Sequence, residues 1–80
     1  MNKLLVFSAS WCGPCKAFKP TLLELDQSRL EYIDIDVLPE LRVDYDVRTV
    51  PTVILVDEDG EELERLTGAQ PLSKLQDMLE

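Results

Sequence analysis

The chain has 80 residues, of which 45% are apolar and 30% are charged, a composition typical of a globular protein. Sixteen acidic and eight basic residues give a net charge of −8, which argues against binding to nucleic acid or to an anionic membrane surface. Because the chain has no histidine, a histidine general base, a Ser-His-Asp triad and a histidine-ligated metal are excluded. The length predicts one domain over residues 1–80.

Apolar patterning predicts seven secondary-structure elements in the order β-α-β-α-β-β-α. In chain order they are a buried strand over Lys3–Ser8, a helix over 13–28, a strand over Glu31–Asp36, a short helix over Pro39–Val43, a buried strand over Thr52–Val56, a return strand over Glu61–Leu66 and a last helix from Pro71. The first β-α-β unit requires a parallel pair with a right-handed crossover, whereas the tight turn at Gly60 requires an antiparallel hairpin. The prediction is an α/β fold with a mixed four-stranded sheet, order 2-1-3-4, and helices on both faces.

Two further segments limit the function classes. The apolar run Leu4–Phe7 is shorter than the roughly 7–15 residues of a signal peptide or the about 20 of a spanning helix, so we expect a cytoplasmic protein. The carboxylates between Asp57 and Glu64 lack the spacing of a calcium-binding loop, so we expect a solvated hairpin tip there and no metal.

The two cysteines, Cys12 and Cys15, allow three interpretations. A structural staple over so short a loop would stabilise the fold by only roughly 2 kcal/mol and would rarely persist in the cytosol. Structural zinc requires four ligands, and the chain offers two thiolates and no imidazole. The spacing in a cytosolic chain favours the third interpretation, a reversible dithiol.

The segment Trp11-Cys12-Gly13-Pro14-Cys15-Lys16 follows a predicted strand and begins a predicted helix. The unpaired N–H groups and the macrodipole at a helix start stabilise a thiolate, which lowers the pKa of a cysteine placed there. We therefore expect Cys12, at the mouth of the helix, to be the exposed attacking thiol with the lower pKa. Cys15 lies one turn further on the same helix face and is expected to be the shielded, resolving thiol.

The segment Trp11–Lys16 resembles the active-site signature of the thioredoxin family. Pro20 matches the helix-kinking proline of that family, and Val50-Pro51-Thr52 resembles its cis-proline motif. Gly60 and Gly68 fall where the family has a hairpin glycine and a glycine after the last strand, so the resemblance covers nearly the whole chain. It implies a minimal thioredoxin fold and a protein-disulfide reductase.

The resemblance also implies the roles of single residues. Cys12 and Cys15 would be the catalytic pair and would form the redox-active disulfide during turnover. Substrate binding would fall to the residues around the pair and to the proline motif, namely Trp11, Gly13, Pro14, Val50 and Pro51. The implied partners are disulfide-containing target proteins and a reductase of the thioredoxin-reductase type, acting on a monomer without a metal or organic cofactor.

The chain departs from the usual family pattern in three respects. It begins directly at the strand that leads into the signature, as in shortened, glutaredoxin-sized redoxins. Val6 stands where the family usually has a buried aspartate that is thought to assist the resolving thiol, and Ser8 stands where a tryptophan is usual. We expect Val6 to slow the resolving step near neutral pH, because no acid is present at that point of the strand. Asp34 and Asp36 are expected to be outward-facing carboxylates, and Lys16 either lowers the thiol pKa or is a solvated surface charge.

Two alternative functions stay open at the level of sequence. Thr49-Val50-Pro51 also resembles the glutathione-contacting segment of glutaredoxins, although those proteins usually carry Pro-Tyr, and not Gly-Pro, between the cysteines. The second alternative is a binding subunit in which the cysteines are incidental. Catalysed reduction of insulin by dithiothreitol separates a disulfide reductase from a pure binding module.

Overall fold

In the computed structural model, which describes residues 1–80, four strands form one mixed sheet. The strands are β1 (Lys3–Ser8), β2 (Leu30–Asp34), β3 (Thr52–Val56) and β4 (Glu62–Thr67). Their order in the sheet is β2-β1-β3-β4, with β1 parallel to β2, β1 antiparallel to β3 and β3 antiparallel to β4. The predicted fold class, element order and sheet order are therefore confirmed.

The helices are α1 (Gly13–Leu22), α2 (Pro39–Asp44) and α3 (Leu72–Leu79), and none of them is long and apolar enough to cross a membrane. The prediction that the first helix continues to Ser28 is wrong, since α1 ends at Leu22. Side-chain hydrogen bonds hold the following residues in a non-helical conformation. Gln27 Nε2 donates to the Leu22 and Leu25 carbonyl oxygens at 2.8 Å each, which satisfies acceptors at the helix end. Asp26 then accepts hydrogen bonds from the backbone and hydroxyl of Ser28 and begins a short 3-10 turn over Gln27–Arg29.

The core lies on both faces of the sheet because successive residues of β1 point to opposite sides. Leu4 and Val6 pack towards α1 and α3, in a cluster that includes Phe18, Leu22 and Leu75. The alternate residues, of which Leu5 and Phe7 are examples, pack in a second cluster that the partly buried Leu41 of α2 borders. All five residues of β3 are buried, as expected for a central strand covered on both faces.

The hairpin between β3 and β4 turns at Gly60, whose φ of +83° is a conformation that favours glycine. The Gly60 N–H donates to the Asp57 carbonyl oxygen at 3.0 Å, and Asp57 Oδ1 accepts from the backbone of Asp59 and Glu61. Glu58 and Asp59 are exposed, in agreement with the predicted solvated tip.

One edge of the sheet collects the segments that carry the cysteines and the proline motif. The strands β1 and β2 end at this edge, and the antiparallel β3 begins there, since Phe7 is the partner of Thr52. The loop after β1 leads into Cys12, while Val50 and Pro51 immediately precede β3. The topology therefore brings together two segments that lie 38 residues apart in the chain.

Candidate active site

Cys12 is the N-cap residue of α1, and Gly13 and Pro14 form the first positions of the helix. The backbone of Cys12 is extended, with φ −88° and ψ 107°, so its sulfur turns back over the helix start. There it accepts a hydrogen bond from the Cys15 N–H, with an N···Sγ distance of 3.1 Å. Pro14 fits this turn because its missing N–H would have no partner in the helix. A cysteine sulfur therefore takes the place of the oxygen that usually caps a helix.

Cys12 and Cys15 form a disulfide in the structure, with their Cα atoms 5.2 Å apart. This is the oxidised form of the pair that the sequence predicts to be a reversible dithiol. No other part of the chain is needed to bring the two sulfurs together, because they lie one helix turn apart.

The expectation that Cys12 is exposed is wrong for this oxidised form, whereas Cys15 is shielded as expected. The exposed fraction is 4% for Cys12 and 8% for Cys15, and both belong to the cluster that contains Phe7 and Ala9. The Val50 carbonyl oxygen lies 3.8 Å from Cys12 Sγ and covers it from the side of the proline motif. The spacing of residues in the sequence could not predict this contact, because Val50 lies next to Cys12 only when β3 pairs with β1 in the sheet.

The predicted cis-proline motif is present, since the Val50–Pro51 peptide bond is cis and Pro51 is buried. Backbone and side-chain hydrogen bonds hold the segment on two sides. The Thr52 hydroxyl donates to the Thr49 carbonyl oxygen at 2.7 Å, and the Gly68 N–H donates to the Pro51 carbonyl oxygen at 2.8 Å. The Val50 backbone is thereby fixed beside the disulfide.

Trp11 is 67% exposed beside the disulfide, so most of its ring is open to solvent. Its indole Nε1 donates to Asp36 Oδ2 at 2.9 Å, so Asp36 is exposed but not merely a solvated carboxylate. Asp34 is half-buried, and its Oδ1 accepts from the Asp36 N–H at 2.8 Å. No sequence pattern predicts the contact between Trp11 and Asp36, which depends on how β2 ends relative to β1.

Gly13 and Pro14, the remaining residues predicted to bind substrate, are exposed at the helix start. A side chain at Gly13 would meet no atom within 4 Å, so glycine keeps the surface next to Cys12 low and open. The structure thus brings together all seven residues predicted for the site, five of them in the segment Trp11–Cys15 and two in Val50–Pro51.

The two departures in β1 have different structural consequences. Val6 is 1% exposed in the cluster that packs on α1 and α3. Ser8, at the end of β1, lines a pocket of about 310 Å³ beside Cys15. The remaining residues that line this pocket are Ala9, Lys16 and Lys19. Sequence reasoning singled out Ser8 and Lys16 but missed Lys19, which lies one helix turn after Lys16 on the same face.

Comparisons with known proteins agree with this geometry. The family model of thioredoxin matches residues 1–80. The thioredoxin of Staphylococcus epidermidis is 37% identical over 83 residues, which span 98% of this chain and 79% of that protein. Among solved structures, oxidised mitochondrial thioredoxin 3 of Saccharomyces cerevisiae has a TM-score of 0.83 at 30% identity, covering 98% of this chain and 76% of the other. Fasciola hepatica thioredoxin has a TM-score of 0.85 at 29% identity, covering 98% and 77%.

These relatives are thioredoxins, and the glutaredoxin-like alternative is therefore not favoured. The matches extend over nearly the whole chain, including the helix-capping cysteine, its partner one turn later and the cis proline beside them. The chain belongs to the thioredoxin family of protein-disulfide oxidoreductases, with Cys12 and Cys15 as its dithiol–disulfide pair.

Proposed function

We propose that the protein reduces disulfides in other proteins, with Cys12 as the attacking thiol and Cys15 as the resolving thiol. The observation that carries this assignment is the N-cap position of Cys12, whose sulfur accepts the Cys15 N–H at 3.1 Å. A hydrogen-bond donor and the helix dipole both favour the charged form of sulfur at that point. Cys15 lies inside the helix and has no equivalent position.

The reaction consists of two thiol–disulfide exchanges. The Cys12 thiolate attacks one sulfur of the target disulfide, forming a Cys12–target bond and releasing the other target sulfur as a thiolate. The Cys15 thiolate then attacks Cys12 Sγ, which closes the Cys12–Cys15 bond and releases the second target sulfur. The target gains two electrons and, from solvent, two protons, while the protein is oxidised to the disulfide.

Target binding is assigned to the surface around the pair, formed by Trp11, Gly13, Pro14, Val50 and Pro51. Trp11 offers an exposed ring for apolar contact, held in place by its hydrogen bond to Asp36. The Val50 backbone is fixed beside Cys12 Sγ, and Pro51 offers no N–H of its own. A target segment bound there as an extended peptide would place its disulfide next to Cys12.

The cycle requires a partner that returns the disulfide to the dithiol, and we propose a reductase of the thioredoxin-reductase type. In this role the protein carries electrons as a monomer, with residues 1–80 acting as one functional domain and without a metal, organic cofactor, membrane or nucleic-acid partner. A reducing cycle also fits the cytoplasm, where thiols are kept reduced.

Insulin reduction by dithiothreitol tests the proposed function. The wild-type protein should accelerate the precipitation of reduced insulin, and Cys12→Ser should remove the acceleration. Ser10→Ala, a change of an exposed residue two positions earlier, is the matched control and should behave as the wild type. Lack of acceleration by the wild type would contradict the proposed function and favour a binding subunit.

A further inference from the structure

The pocket beside Cys15 is lined by two lysine side chains that have neither an ion-pair nor a hydrogen-bond partner. Six of the eight basic side chains form an ion pair with a carboxylate or donate to a backbone carbonyl, namely Lys3, Arg29, Arg42, Arg48, Arg65 and Lys74. The other two, Lys16 and Lys19, form neither an ion pair nor a hydrogen bond, and both line this pocket. In a chain with a net charge of −8, the basic side chains without an acidic or carbonyl partner thus converge at one point.

The surroundings of the two lysines include an aromatic ring but no paired carboxylate. Lys19 Nζ lies 3.9 Å from the centre of the Tyr32 ring, so a cation–π contact positions the ammonium without neutralising it. Asp34 is the strand partner of Ser8 and carries the nearest carboxylate in the sheet register. Its Oδ1 accepts from the Asp36 N–H, and Asp34 does not line the pocket.

We propose that this pocket binds a carboxylate of the disulfide substrate, supplied by an acidic side chain close to the target disulfide. The inference rests on the proposed function, because the pocket borders Cys15 and its use requires a target bound at Cys12. Lys16 and Lys19 would donate to the carboxylate, and the Ser8 hydroxyl, which also lines the pocket, would be a further donor. A volume of about 310 Å³ is large enough for one side chain but not for a folded segment.

The negative charge of the rest of the molecule means that the pocket would select where an acidic target binds, as well as favouring a negatively charged group. An acidic target is repelled by most of a surface with a net charge of −8. Near the disulfide, the two free ammonium groups attract its carboxylate, so the pocket would orient an acidic target relative to Cys12. The expected effect is modest, since the pocket is open to solvent and exposed ion pairs are weak.

Reduction of two synthetic disulfide peptides tests the proposal. The peptides differ only at the residue next to the disulfide, Glu in one and Gln in the other, and kcat/KM is measured for each. The variants are Lys16→Met/Lys19→Met and, as the matched control, Lys3→Met/Lys74→Met, which changes the net charge equally but away from the pocket. Using the Glu-to-Gln ratio within each protein removes any change in general activity.

The wild type should prefer the Glu peptide by about two- to fivefold, a factor expected for exposed ion pairs. The preference should disappear in Lys16→Met/Lys19→Met, persist in Lys3→Met/Lys74→Met, and weaken at about 1 M salt, where the Debye length falls to about 3 Å. A ratio near one in the wild type, or an equal loss of preference in both double variants, would overturn the proposal while leaving the reductase function intact.

A binding measurement separates this proposal from the proposed function. Oxidised protein is titrated with the Glu and Gln peptides in which serine replaces each cysteine, and backbone amide shifts are followed by NMR. The Glu peptide should shift the amides of Ser8, Lys16 and Lys19 more than the Gln peptide does. Equal shifts for the two serine peptides would overturn the pocket assignment, whether or not the disulfide peptides are reduced. Larger shifts with the Glu peptide, together with no reduction of the disulfide peptides, would contradict only the proposed function.

Discussion

Val6 occupies a buried position of β1 where the usual pattern of the family has a carboxylate. Its side chain is 1% exposed among apolar neighbours such as Phe18 and Leu75. A carboxylate there would lose its hydration without gaining a partner from this cluster. The valine therefore contributes to the core, and the negative charge that the pattern usually has near the resolving thiol is absent from this position.

Val6→Asp should lower the free energy of unfolding by about 3 kcal/mol or more at neutral pH. Burial raises the pKa of the introduced carboxyl above its unfolded value of about 3.9, so the folded state binds the proton more tightly. The loss should therefore be smallest near pH 4 and grow as the pH rises towards 8. Urea unfolding followed by circular dichroism measures it, with Val6→Asn as the uncharged control. Parallel pH curves for the Asp and Asn variants would contradict this interpretation.

Thr52 is the buried polar residue next to the cis proline, with 1% exposure and a hydrogen bond to the Thr49 carbonyl oxygen. Thr52→Val keeps the shape and removes the donor, which should cost about 1 kcal/mol of stability. Exchange of the Gly68 amide, which donates to the Pro51 carbonyl oxygen, should also become faster because the segment is held on one side only. The exposed Thr67→Val is the control, and equal effects of the two substitutions would refute the role of the hydroxyl.

The short helix α2 depends on polar contacts at its end, because none of its residues is fully buried. Arg65 of β4 donates to the Tyr45 and Asp46 carbonyl oxygens just after α2, and to both carboxylate oxygens of Glu62. The Tyr45 hydroxyl donates to the Gly60 carbonyl oxygen at 2.7 Å, which joins the same region to the hairpin. Glu62 thus orients the guanidinium that holds α2 against the sheet.

Glu62→Gln should destabilise the protein slightly at pH 7, by less than about 1 kcal/mol because the pair is partly exposed. The hydrogen bonds from Arg65 hold the pKa of the Glu62 carboxyl below its usual value. Its contribution is therefore present above the unfolded pKa of about 4.3 and lost as the pH falls through the lower folded pKa. The difference in urea midpoint between the variant and the wild type should be larger at pH 7 than at pH 3. A difference as large at pH 3 would contradict the linkage, and Glu61→Gln is the exposed control.

At the level of elements, the sequence predicted order and topology better than boundaries. Alternating and continuous apolar runs mark β1 and β3, and the turn at Gly60 marks the hairpin, because these signals are local. The end of α1 was predicted six residues too late, since it depends on Gln27 folding back onto the Leu22 carbonyl. Apolar periodicity carries no information about such a side-chain contact.

The site shows the same division between local and long-range information. The placement of Cys12 at a helix start was predicted because strand, loop and helix follow one another in the chain, whereas the roles of Trp11, Gly13 and Pro14 were implied by the resemblance to the thioredoxin family. The burial of Cys12 was missed because its cover, the Val50 carbonyl, arrives from another strand. The pocket at Ser8 and Lys19 was missed for a related reason, since it requires the packing of α1 against β1.

Across the whole molecule, sixteen acidic and eight basic residues leave a net charge of −8. The pairs Lys3–Glu31 and Lys74–Glu64 are exposed and contribute little. Repulsion among the remaining carboxylates therefore opposes the folded state. Raising NaCl from about 0.01 M to about 0.15 M shortens the Debye length from about 30 Å to about 8 Å and should raise Tm. A scan showing a lower Tm at the higher salt concentration would mean that attractive pairs outweigh this repulsion.

The most direct test of the central claim asks which cysteine attacks the target. Reduced Cys15→Ser and Cys12→Ser are each incubated with a peptide disulfide at neutral pH, and the intact adducts are followed by mass spectrometry. Cys15→Ser should rapidly form a stable one-to-one mixed disulfide at Cys12, because the N-cap thiolate remains and nothing resolves the adduct. Cys12→Ser should form its adduct far more slowly. Faster adduct formation by Cys12→Ser would contradict the assignment of Cys12 as the attacking thiol.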